Sequence, residues 1–380
     1  MKKALIISLG SRSTIENYGA VLQITAFCAL LRERYGIQSK VLDYIGINCK
    51  GCSDSLFFWE IIYGNGLRGR IKSIFLGGKI KKRIKNNLVF LRNECGNTRL
   101  YDYSTINNAS FRYDYYIAVS DVIWDPSFRK GGFDNVFFLP DYVFKRGKRI
   151  VFSAGIGDGV FNEEEKEDFK NKIAKLDRWS VREGYASEYL KEFIHSHVRV
   201  TLDPTLIVDD LFYKKYINTK KRNKKRYILL YDVGYNNQKM LQDAIDYAKQ
   251  FDYELIRISR TSNVYEKVYP LINVTIPDFL TMLYYCEAFF CNSFHGVCLA
   301  IRFKKTFFVY ERPNGKKITD ICNRLNLENR IVSKNIMEFE NLIKPINFED
   351  VYSKLDKEKK NTLDFLDKAL GMEEPVKRRQ

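Results

Sequence analysis

Apolar runs of strand length alternate with amphipathic helical patterns in both halves of the chain. The first half contains the runs KALIISL, SKVLDYI, YDYYIAVS, KRIVFSA, RWSVRE and VRVTLD. The second half contains YILLYDV, YELIRIS, AFFCN and KTFFVY. Helical patterns lie between these runs, and the clearest, AVLQITAFCALLRERYG, ends at Gly36. Strands that alternate with helices form parallel sheets with crossover helices, so the pattern predicts an α/β fold with buried strands.

A polar and basic segment separates the two halves. Residues 209–225, DDLFYKKYINTKKRNKK, lack a clear apolar period. Because 380 residues exceed one ordinary core, we predict two Rossmann-like domains, at 1–210 and 226–348, with this segment as their linker. A final helical pattern ends before Gly371, a predicted C-cap. We expect this helix, within 349–372, to pack back on the N-terminal domain.

A basic helical insertion is predicted at about 56–100 in the first domain. No acidic residue occurs from Ile61 to Asn93, and lysines and arginines accumulate there among isoleucines. Two interpretations remain open. The insertion is a solvated helix with an exposed charged face, or it is a basic amphipathic helix that contacts an anionic membrane or a lipid-linked substrate.

The net charge of +17 and the pI near 9.3 favour acidic partners, because a positive surface concentrates anions. Phosphorylated metabolites, anionic lipid and nucleic acid all qualify. The basic stretches contain no zinc-finger spacing, no helix-turn-helix signature and no aromatic stacking motif. We therefore expect no nucleic-acid partner.

The eight cysteines are scattered, which predicts free thiols in a reducing cytoplasm. Cys49 and Cys52 form a lone C-x-x-C, too few ligands for a zinc site, so no metal is predicted. The apolar run of MKKALIISLG is shorter than a signal-peptide core and is better interpreted as a first strand. No run approaches the length of a membrane span. We expect a cytoplasmic protein, with the inner face of the membrane as an alternative location.

Polar residues and glycines directly follow several predicted strands. They are Asn17 and Gly19, Asp121 with Trp124, Gly155 with Gly157, Arg182 with Glu183, Asp203, and the segment from Ser293 to Gly296. In doubly wound sheets, ligands bind outside the carboxyl ends of the strands, so these residues are expected to meet in a cleft between the domains. The first turn lacks G-x-G-x-x-G, and the chain has no G-x-x-x-x-G-K-[ST]. A dinucleotide or P-loop site is therefore not predicted.

The late segment CNSFHGVCLA, residues 291–300, places His295 beside Gly296 in an apolar run. If AFFCN is a strand and VCLAIRF a helix, the residues from Ser293 to Gly296 form the turn between them. Backbone amides at the start of a helix bind phosphate or carboxylate, and the imidazole of a histidine can change its charge near neutral pH. The segment therefore predicts an anion-binding turn.

Each of these residues also has a purely structural interpretation. A lone histidine beside a glycine fits a satisfied buried residue, and Arg182 with Glu183 fits an ordinary ion pair. Asn17 and Asp121 are good helix caps, and Asp203 before proline is a turn signal. The order of the whole set is more specific than any member.

This ordered set resembles the polysaccharide pyruvyl transferase family. The matching motifs are NYGAVLQ at 17–23, VSDVIW at 119–124, SAGIG at 153–157, SVRE at 180–183, DPTLI at 203–207 and NSFHG at 292–296. The likeness extends from residue 3 to about 335. Two positions depart from the family pattern. Val119 stands in place of a glycine and is expected to narrow the loop near Asp121. Lys317 stands in place of an arginine and lacks its bidentate fork.

The resemblance implies a fold like that of the B-type glycosyltransferases, with two Rossmann-like domains facing a cleft and a C-terminal helix crossing back. It implies phosphoenolpyruvate as the donor. It also implies an acceptor sugar of a surface polysaccharide, such as a capsule or exopolysaccharide, or of a lipid-linked precursor. Pyruvyl ketal transfer needs no metal or organic cofactor.

Roles carried over from the resemblance fall into three groups. The expected catalytic residues are His295, Asp121 and Glu183. The expected donor-binding residues are Arg182, Ser293, Phe294, Gly296, Lys316 and Lys317, because phosphate and carboxylate need cations and amides. The expected acceptor or cleft residues are Asn17, Tyr18, Gly19, Gln23, Trp124 and Asp203.

Two other functions remain open. A glycosyltransferase that uses a nucleotide sugar would suit the same fold, since fold alone does not determine function. A non-catalytic saccharide-binding or assembly protein is made credible by Val119 and Lys317. The NSFHG segment favours an enzyme, because a scaffold would not require it.

Overall fold

The structure, a computed structural model, describes residues 1–46, 67–128, 132–157, 159–221, 223–233, 237–259, 268, 270–311, 315–332 and 344–372. The predicted pair Cys49 and Cys52 lies outside these residues. The six cysteines that the structure describes are free and buried.

Parallel strands form an N-terminal sheet in the order β3-β2-β1-β4-β5-β6. The strands are β1 Lys3–Ile7, β2 Gln38–Ile45, β3 Asn97–Asp102, β4 Tyr115–Val119, β5 Lys148–Ala154 and β6 Arg178–Val181. This is the doubly wound Rossmann order, in which the strand order reverses between β1 and β4. A ligand crevice is expected where the carboxyl ends of these two strands separate.

A second parallel sheet has the order β10-β9-β7-β8. Its strands are β7 Tyr227–Asp232, β8 Glu254–Ser259, β9 Ala288–Cys291 and β10 Thr306–Val309. The order reverses between β7 and β9, so the second crevice lies at the end of β9, where the NSFHG segment begins. Two parallel sheets of this kind confirm the predicted α/β fold.

The helices cover the faces of both sheets. They are α1 Tyr18–Tyr35, α2 Leu67–Cys95, α3 Glu163–Ile173, α4 Gly184–Ile194, α5 Pro204–Ile207, α6 Asp210–Lys214, α7 Gln238–Gln250, α8 Ile276–Tyr285, α9 Phe294–Arg302, α10 Lys316–Arg324 and α11 Phe348–Leu370. Short 3-10 turns occur at Leu9–Ser11, Ile106–Asn108, Pro126–Phe128, Asn135–Phe138, Thr219–Lys221 and Glu328–Arg330.

Two predicted elements differ from the structure. VRVTLD is not a strand: Val200 forms only an isolated bridge with Val181, because Asp203 caps α5 and Pro204 begins it. The predicted linker contains α6, whose Phe212 and Tyr213 are buried. Aromatic residues in this segment therefore anchor it, although the surrounding lysines made it resemble a free linker.

Helix α1 occupies the centre of the molecule. Asn17 caps it by accepting a hydrogen bond from the Gly19 amide at 3.0 Å, and Gly36 ends it at φ 62°, a conformation that favours glycine. The helix contacts α2, α5 and α9. It is buried from Tyr18 to Leu31, which explains why its sequence is apolar on every face.

The start of α1 joins the two domains. The Tyr18 hydroxyl donates to the Val274 carbonyl at 2.7 Å, and the Tyr18 ring stacks on Phe279 with centroids 4.9 Å apart. The Tyr231 hydroxyl donates to Asn17 Oδ1 at 3.2 Å. These contacts join the start of α1 to β7, to α8 and to the segment just before α8, so the two domains meet next to the NYGA motif.

Helix α2 carries the predicted basic insertion. Its buried face contains Ile80, Arg83, Asn87 and Leu91, at the spacing of one helix face. Arg83 lies 4.0 Å from the Tyr18 ring centroid, so part of the basic charge is internal. Over residues 78–95 the apolar face is therefore covered by protein. The exposed residues of this part include Lys79, Lys81, Lys82 and Lys85.

The last helix, α11, crosses back to the N-terminal domain, which confirms the expected path. Its Thr362 hydroxyl accepts a hydrogen bond from the Leu202 amide at 2.9 Å. At its end, the Tyr115 hydroxyl donates to the Leu370 carbonyl at 2.8 Å. Gly371 ends the helix at φ 64°. In the described part of the chain, no helix is long and apolar enough to cross a membrane.

Candidate active site

His295 lies in the first turn of α9, at the junction of the two domains. The helix begins at Phe294, with Ser293 as N-cap, so the predicted turn from Ser293 to Gly296 is shorter than expected. His295 is only 5% exposed. A Cβ placed on Gly19 would lie 2.3 Å from His295 Cβ, which shows how closely α1 approaches the ring and why a glycine occupies this position.

The ring is held through Nε2. Gln23 Nε2 donates to the Val119 carbonyl at 3.0 Å, so Gln23 presents its oxygen to the ring. His295 Nε2 lies 3.1 Å from that oxygen and 3.4 Å from Asp203 Oδ2. Both neighbours are acceptors, so Nε2 carries a proton. Proton exchange with a substrate is left to Nδ1, for which no described residue supplies a hydrogen-bond partner.

Asp203 is a fully buried carboxylate that orients other groups. Its Oδ1 accepts from the amide and the hydroxyl of Thr205 at 2.9 and 2.6 Å. Its Oδ2 accepts from the Ser120 hydroxyl at 2.6 Å. Burial disfavours its charge, but His295, Arg182 and Ser120 outweigh this and hold the pKa of Asp203 well below its usual range. The carboxylate therefore stays charged beside the histidine.

Arg182 reaches the same carboxylate from the N-terminal domain. Its NH1 lies 3.6 Å from Asp203 Oδ2, and its Nε donates to Glu183 Oε1 at 2.6 Å. Its guanidinium lies 4.3 Å from the Phe294 ring centroid. Burial opposes the charge of Arg182, but neighbouring carboxylates overcome this and raise its pKa. The structure thus brings Arg182 and His295 together on one carboxylate.

Glu183 follows Arg182 and is buried with one carboxylate oxygen that accepts no hydrogen bond in the described part of the chain. Its Oε2 has no hydrogen-bond partner among the described residues. Burial raises the pKa of Glu183, against the opposing effect of Arg182 and Lys317. Gly155 packs against this pair: an added Cβ would lie 3.1 Å from Arg182 NH2 and 3.3 Å from Glu183 Oε1. Glu183 is thus a buried acid with one oxygen free for a substrate.

Glu183→Gln is expected to change how stability depends on pH. The unfolded chain releases the Glu183 proton near pH 4.5, whereas the folded chain holds it to a higher pH because of burial. Stability from this group therefore decreases as the pH rises above 4.5 toward the folded-state value. Glutamine does not titrate, so the stability of the variant should not show this decrease with rising pH.

Urea unfolding of both proteins between about pH 4 and 8 measures the difference, because the other carboxyl groups are common to both. Equal pH slopes in the two proteins would contradict a raised pKa at Glu183.

The loop after β4 adopts an unusual backbone. Ser120 and Asp121 have φ values of 43° and 58°, a left-handed conformation that costs energy in non-glycine residues and concentrates at functional sites. Val119 is instead the last residue of β4 and packs in the core, so its side chain lies outside this loop. Asp121 Oδ1 accepts from the Val122 amide at 2.9 Å.

The other residues predicted from the sequence lie at the starts of α9 and α10 and in the core of the N-terminal domain. Ser293 accepts from the Gly296 amide at 3.3 Å. Trp124 is fully buried and packs on Phe138 and Phe169, in the aromatic core of the N-terminal domain. Lys316 and Lys317 are the first residues of α10. Lys317 is near enough to Glu183 to lower its pKa.

A polar network that sequence reasoning missed connects these groups to α10 and α11. Asp320 accepts from the Gly184 amide at 2.8 Å. Arg324 donates to the Arg182 carbonyl at 3.0 Å and forms an ion pair with Glu358. The partners are far apart in sequence, and no local motif marks them. The network positions the backbone that carries Arg182 and Glu183.

A second missed contact lies behind the NSFHG segment. Asn292 donates to Asp232 Oδ1 at 2.7 Å and accepts from the Val233 amide at 2.8 Å. It links the ends of β7 and β9. In the described ranges, no group of three or more His, Cys, Asp or Glu side chains could hold a metal ion.

Comparison with solved structures shows the fold. S. aureus MnaA, in a co-structure with UDP, has a TM-score of 0.51 at 10% identity, over 99% of each chain. UDP-GlcNAc 2-epimerase from Neisseria meningitidis, bound to UDP-GlcNAc, has a TM-score of 0.50 at 10% identity, over 97% of this chain and 100% of that one. These likenesses confirm the two-domain arrangement of the B-type glycosyltransferases.

Sequence comparison gives the family. No curated protein matches the chain significantly. The family model described as polysaccharide pyruvyl transferase matches residues 17–314. This range contains NYGAVLQ at its start and NSFHG near its end, the two segments that the structure brings into contact at Gly19 and His295. The chain therefore belongs to the polysaccharide pyruvyl transferase family.

Proposed function

We propose that the protein transfers a pyruvyl group from phosphoenolpyruvate to a saccharide, forming a cyclic ketal and releasing phosphate. The observation that carries this proposal is the meeting of His295 and Arg182, from different domains, on the Asp203 carboxylate at 3.4 and 3.6 Å. A proton-transfer group and a cation thus lie at the crevice of both sheets, where doubly wound folds bind ligands.

His295 is proposed as the general acid. Because Nε2 is engaged by Gln23 and Asp203, the ring has one orientation, and Nδ1 is the atom that can transfer a proton. Protonation of the methylene carbon of phosphoenolpyruvate makes the adjacent carbon electrophilic. A fixed imidazole of this kind contributes typically about a hundred- to ten-thousandfold to the rate of a proton transfer.

Donor binding has to overcome the carboxylates around Arg182. Glu183 and Asp203 already pair with its guanidinium, so Arg182 alone does not provide a net positive site. Other groups are available: Lys317, in the first turn of α10, is near Glu183, and the first amides of α9 point toward its N-terminal end. We propose that these groups hold the phosphate and carboxylate of the donor.

The acceptor hydroxyl needs a base, and Glu183 fits this role better than Asp121. Glu183 Oε2 is unpaired in the described structure, whereas Asp121 accepts from its own neighbour. In the reaction, one sugar hydroxyl bonds to the electrophilic carbon, phosphate leaves, and a second hydroxyl closes the ketal. One hydroxyl proton replaces the proton given to the methyl carbon, and the other leaves with phosphate. These steps require no metal or organic cofactor.

The test is incubation of the protein with phosphoenolpyruvate and a panel of oligosaccharides. We expect phosphate release together with an acceptor mass gain equal to pyruvate less water. Nucleotide release from a sugar nucleotide, with no reaction of phosphoenolpyruvate, would instead support a glycosyltransferase. Inactivity with both donors across the panel would support a saccharide-binding or assembly protein.

The acceptor is proposed to belong to a surface polysaccharide, either a capsule or an exopolysaccharide, or to its lipid-linked precursor, at the cytoplasmic face of the membrane. The exposed lysines of α2 at 79, 81, 82 and 85 would support contact with anionic lipid. The apolar face of residues 78–95 is covered by protein, so this contact would be electrostatic. Cosedimentation with anionic vesicles, weakened by salt, tests it.

A further inference from the structure

A cavity of about 510 Å³ opens between the first turns of α4 and α10. Helix α4 follows β6 of the N-terminal sheet, and α10 follows β10 of the second sheet. The cavity therefore lies at the carboxyl ends of strands from both domains, where ligands bind in such folds. Its volume falls within the range of about 300–1,000 Å³ that is typical of small-molecule sites.

The lining is polar, with one aromatic ring. It includes Tyr185, Glu311, Lys316, Thr319, Asp320 and Asn323. These side chains supply two carboxylates, an amide, a hydroxyl and an ammonium group, which together both donate and accept hydrogen bonds. The Tyr185 hydroxyl donates to the Gly157 carbonyl at 3.1 Å, which holds the ring against the wall.

The charge of the lining does not favour the donor. Asp320 pairs with Arg324 at 3.2 Å, and Lys316 balances the charge of Glu311, so the lining with its ion-pair partner has no net positive charge. A doubly anionic donor would find no net attraction there, whereas neutral hydroxyl groups would find charged acceptors, which form the stronger hydrogen bonds. The lining thus fits a polyhydroxylated neutral ligand.

The cavity is connected directly to the proposed base. Asp320 Oδ1 accepts from the Gly184 and Tyr185 amides at 2.8 and 3.4 Å, and Glu183 immediately precedes them. A Cβ on Gly184 would lie 3.0 Å from the same oxygen, so the glycine permits this close approach. A ligand in the cavity is therefore adjacent to the segment that carries Arg182 and Glu183.

We propose that this cavity binds a pyranose unit of the acceptor saccharide, an assignment that rests on the proposed function. The sugar ring packs on Tyr185, and its hydroxyls donate to Glu311 and Asp320 and interact with Asn323. Phosphoenolpyruvate binds outside the cavity, on the other side of Glu183, with Lys317 and the start of α9.

Saturation-transfer NMR with methyl hexopyranosides of galactose, glucose and mannose tests the site without turnover. We expect the wild type to bind at least one glycoside, and Asn323→Trp, which fills the cavity from an exposed helix position, to lose that binding. Asn361→Trp, at an exposed position on α11, is the matched control and should bind as the wild type does. Thermal shift with phosphoenolpyruvate alone should be equal in all three proteins.

Glu311→Gln provides a second variant that keeps the shape of the cavity. It is expected to weaken glycoside binding about tenfold, as the loss of one hydrogen bond to a charged acceptor does. The Glu311 carboxylate also accepts from the Thr319 hydroxyl, a contact that glutamine retains through its oxygen.

The outcomes separate this assignment from the proposed function. Unchanged glycoside binding in Asn323→Trp, or no glycoside binding by the wild type, would overturn the cavity assignment even if phosphoenolpyruvate binds. Glycoside binding that Asn323→Trp abolishes, without any effect of phosphoenolpyruvate on the wild type, would support the cavity and contradict the donor.

Discussion

Replacing His295 with alanine is expected to lower ketal formation from phosphoenolpyruvate by about a hundred- to ten-thousandfold. The variant removes Nδ1, the ring atom that the structure leaves available for proton transfer, together with the Nε2 contacts to Gln23 and Asp203. Asp203 keeps its hydrogen bonds from Ser120 and Thr205, so the fold should persist. The measurement is phosphate release under saturating donor and acceptor.

Two comparisons make this result specific. His197→Ala removes an exposed histidine and should leave the rate unchanged. The free energy of unfolding of His295→Ala in urea should decrease by only about 1–3 kcal/mol, for the lost buried hydrogen bonds, so the variant should remain folded. A His295→Ala protein that is folded and turns over at the normal rate would disprove the assigned role.

The fold was predictable because its signals are local. Helix α1 shows its apolar sequence, its Asn17 cap and its Gly36 stop within 20 residues, and the strands are short apolar runs that both faces of a sheet bury. VRVTLD was misassigned for the same reason, since its alternation is strand-like. The deciding feature is Asp203 with Pro204, a cap and first residue of a helix, which overrides the apolar pattern.

The site was predictable only in part. Motif order singled out His295, Arg182 and Asp203, and the structure brings His295 and Arg182 together on the Asp203 carboxylate. The motifs also predicted Trp124 as a cleft residue. A position after a strand does not show which way a side chain points, and the Trp124 side chain points into the core. Asp320 and Arg324 were missed because their partners, Gly184 and Glu358, are joined to them only by the folding of the whole chain.

Ser120 illustrates an intermediate case. Its hydroxyl bridges Arg182 NH1, at 3.4 Å, and Asp203 Oδ2, at 2.6 Å. The sequence carried a usable signal, since a Ser-Asp pair directly after a buried strand is a frequent turn element, and aspartate tolerates the left-handed conformation. The hydrogen bond to Asp203 could not be predicted from the sequence, because it depends on the distance between two loops.

Arg182→Met is expected to destabilise the protein strongly, by about 3–5 kcal/mol. Arg182 is 2% exposed, and its removal leaves the buried carboxylates of Glu183 and Asp203 without their main counter-charge. Methionine matches the length of the aliphatic stem of arginine and can still pack on Phe294. The loss of stability therefore measures the removal of the charge, because no large cavity is created. Urea unfolding near neutral pH measures it. Since domains are commonly stable by only about 5–15 kcal/mol, a loss of this size should be unmistakable.

A second substitution separates the charge from the shape. In Arg182→Met with Glu183→Gln, one of the two unpaired carboxylates is gone, so part of the stability should return. Lowering the pH should likewise restore part of the stability of Arg182→Met, because it protonates the buried carboxylates. Without the guanidinium, the pKa values of both carboxylates rise, and acids whose folded-state pKa is raised lose stability as the pH increases. If the single variant were as stable as the wild type, or if acid destabilised it further relative to the wild type, the stabilising pairing of Arg182 with these two acids would be contradicted.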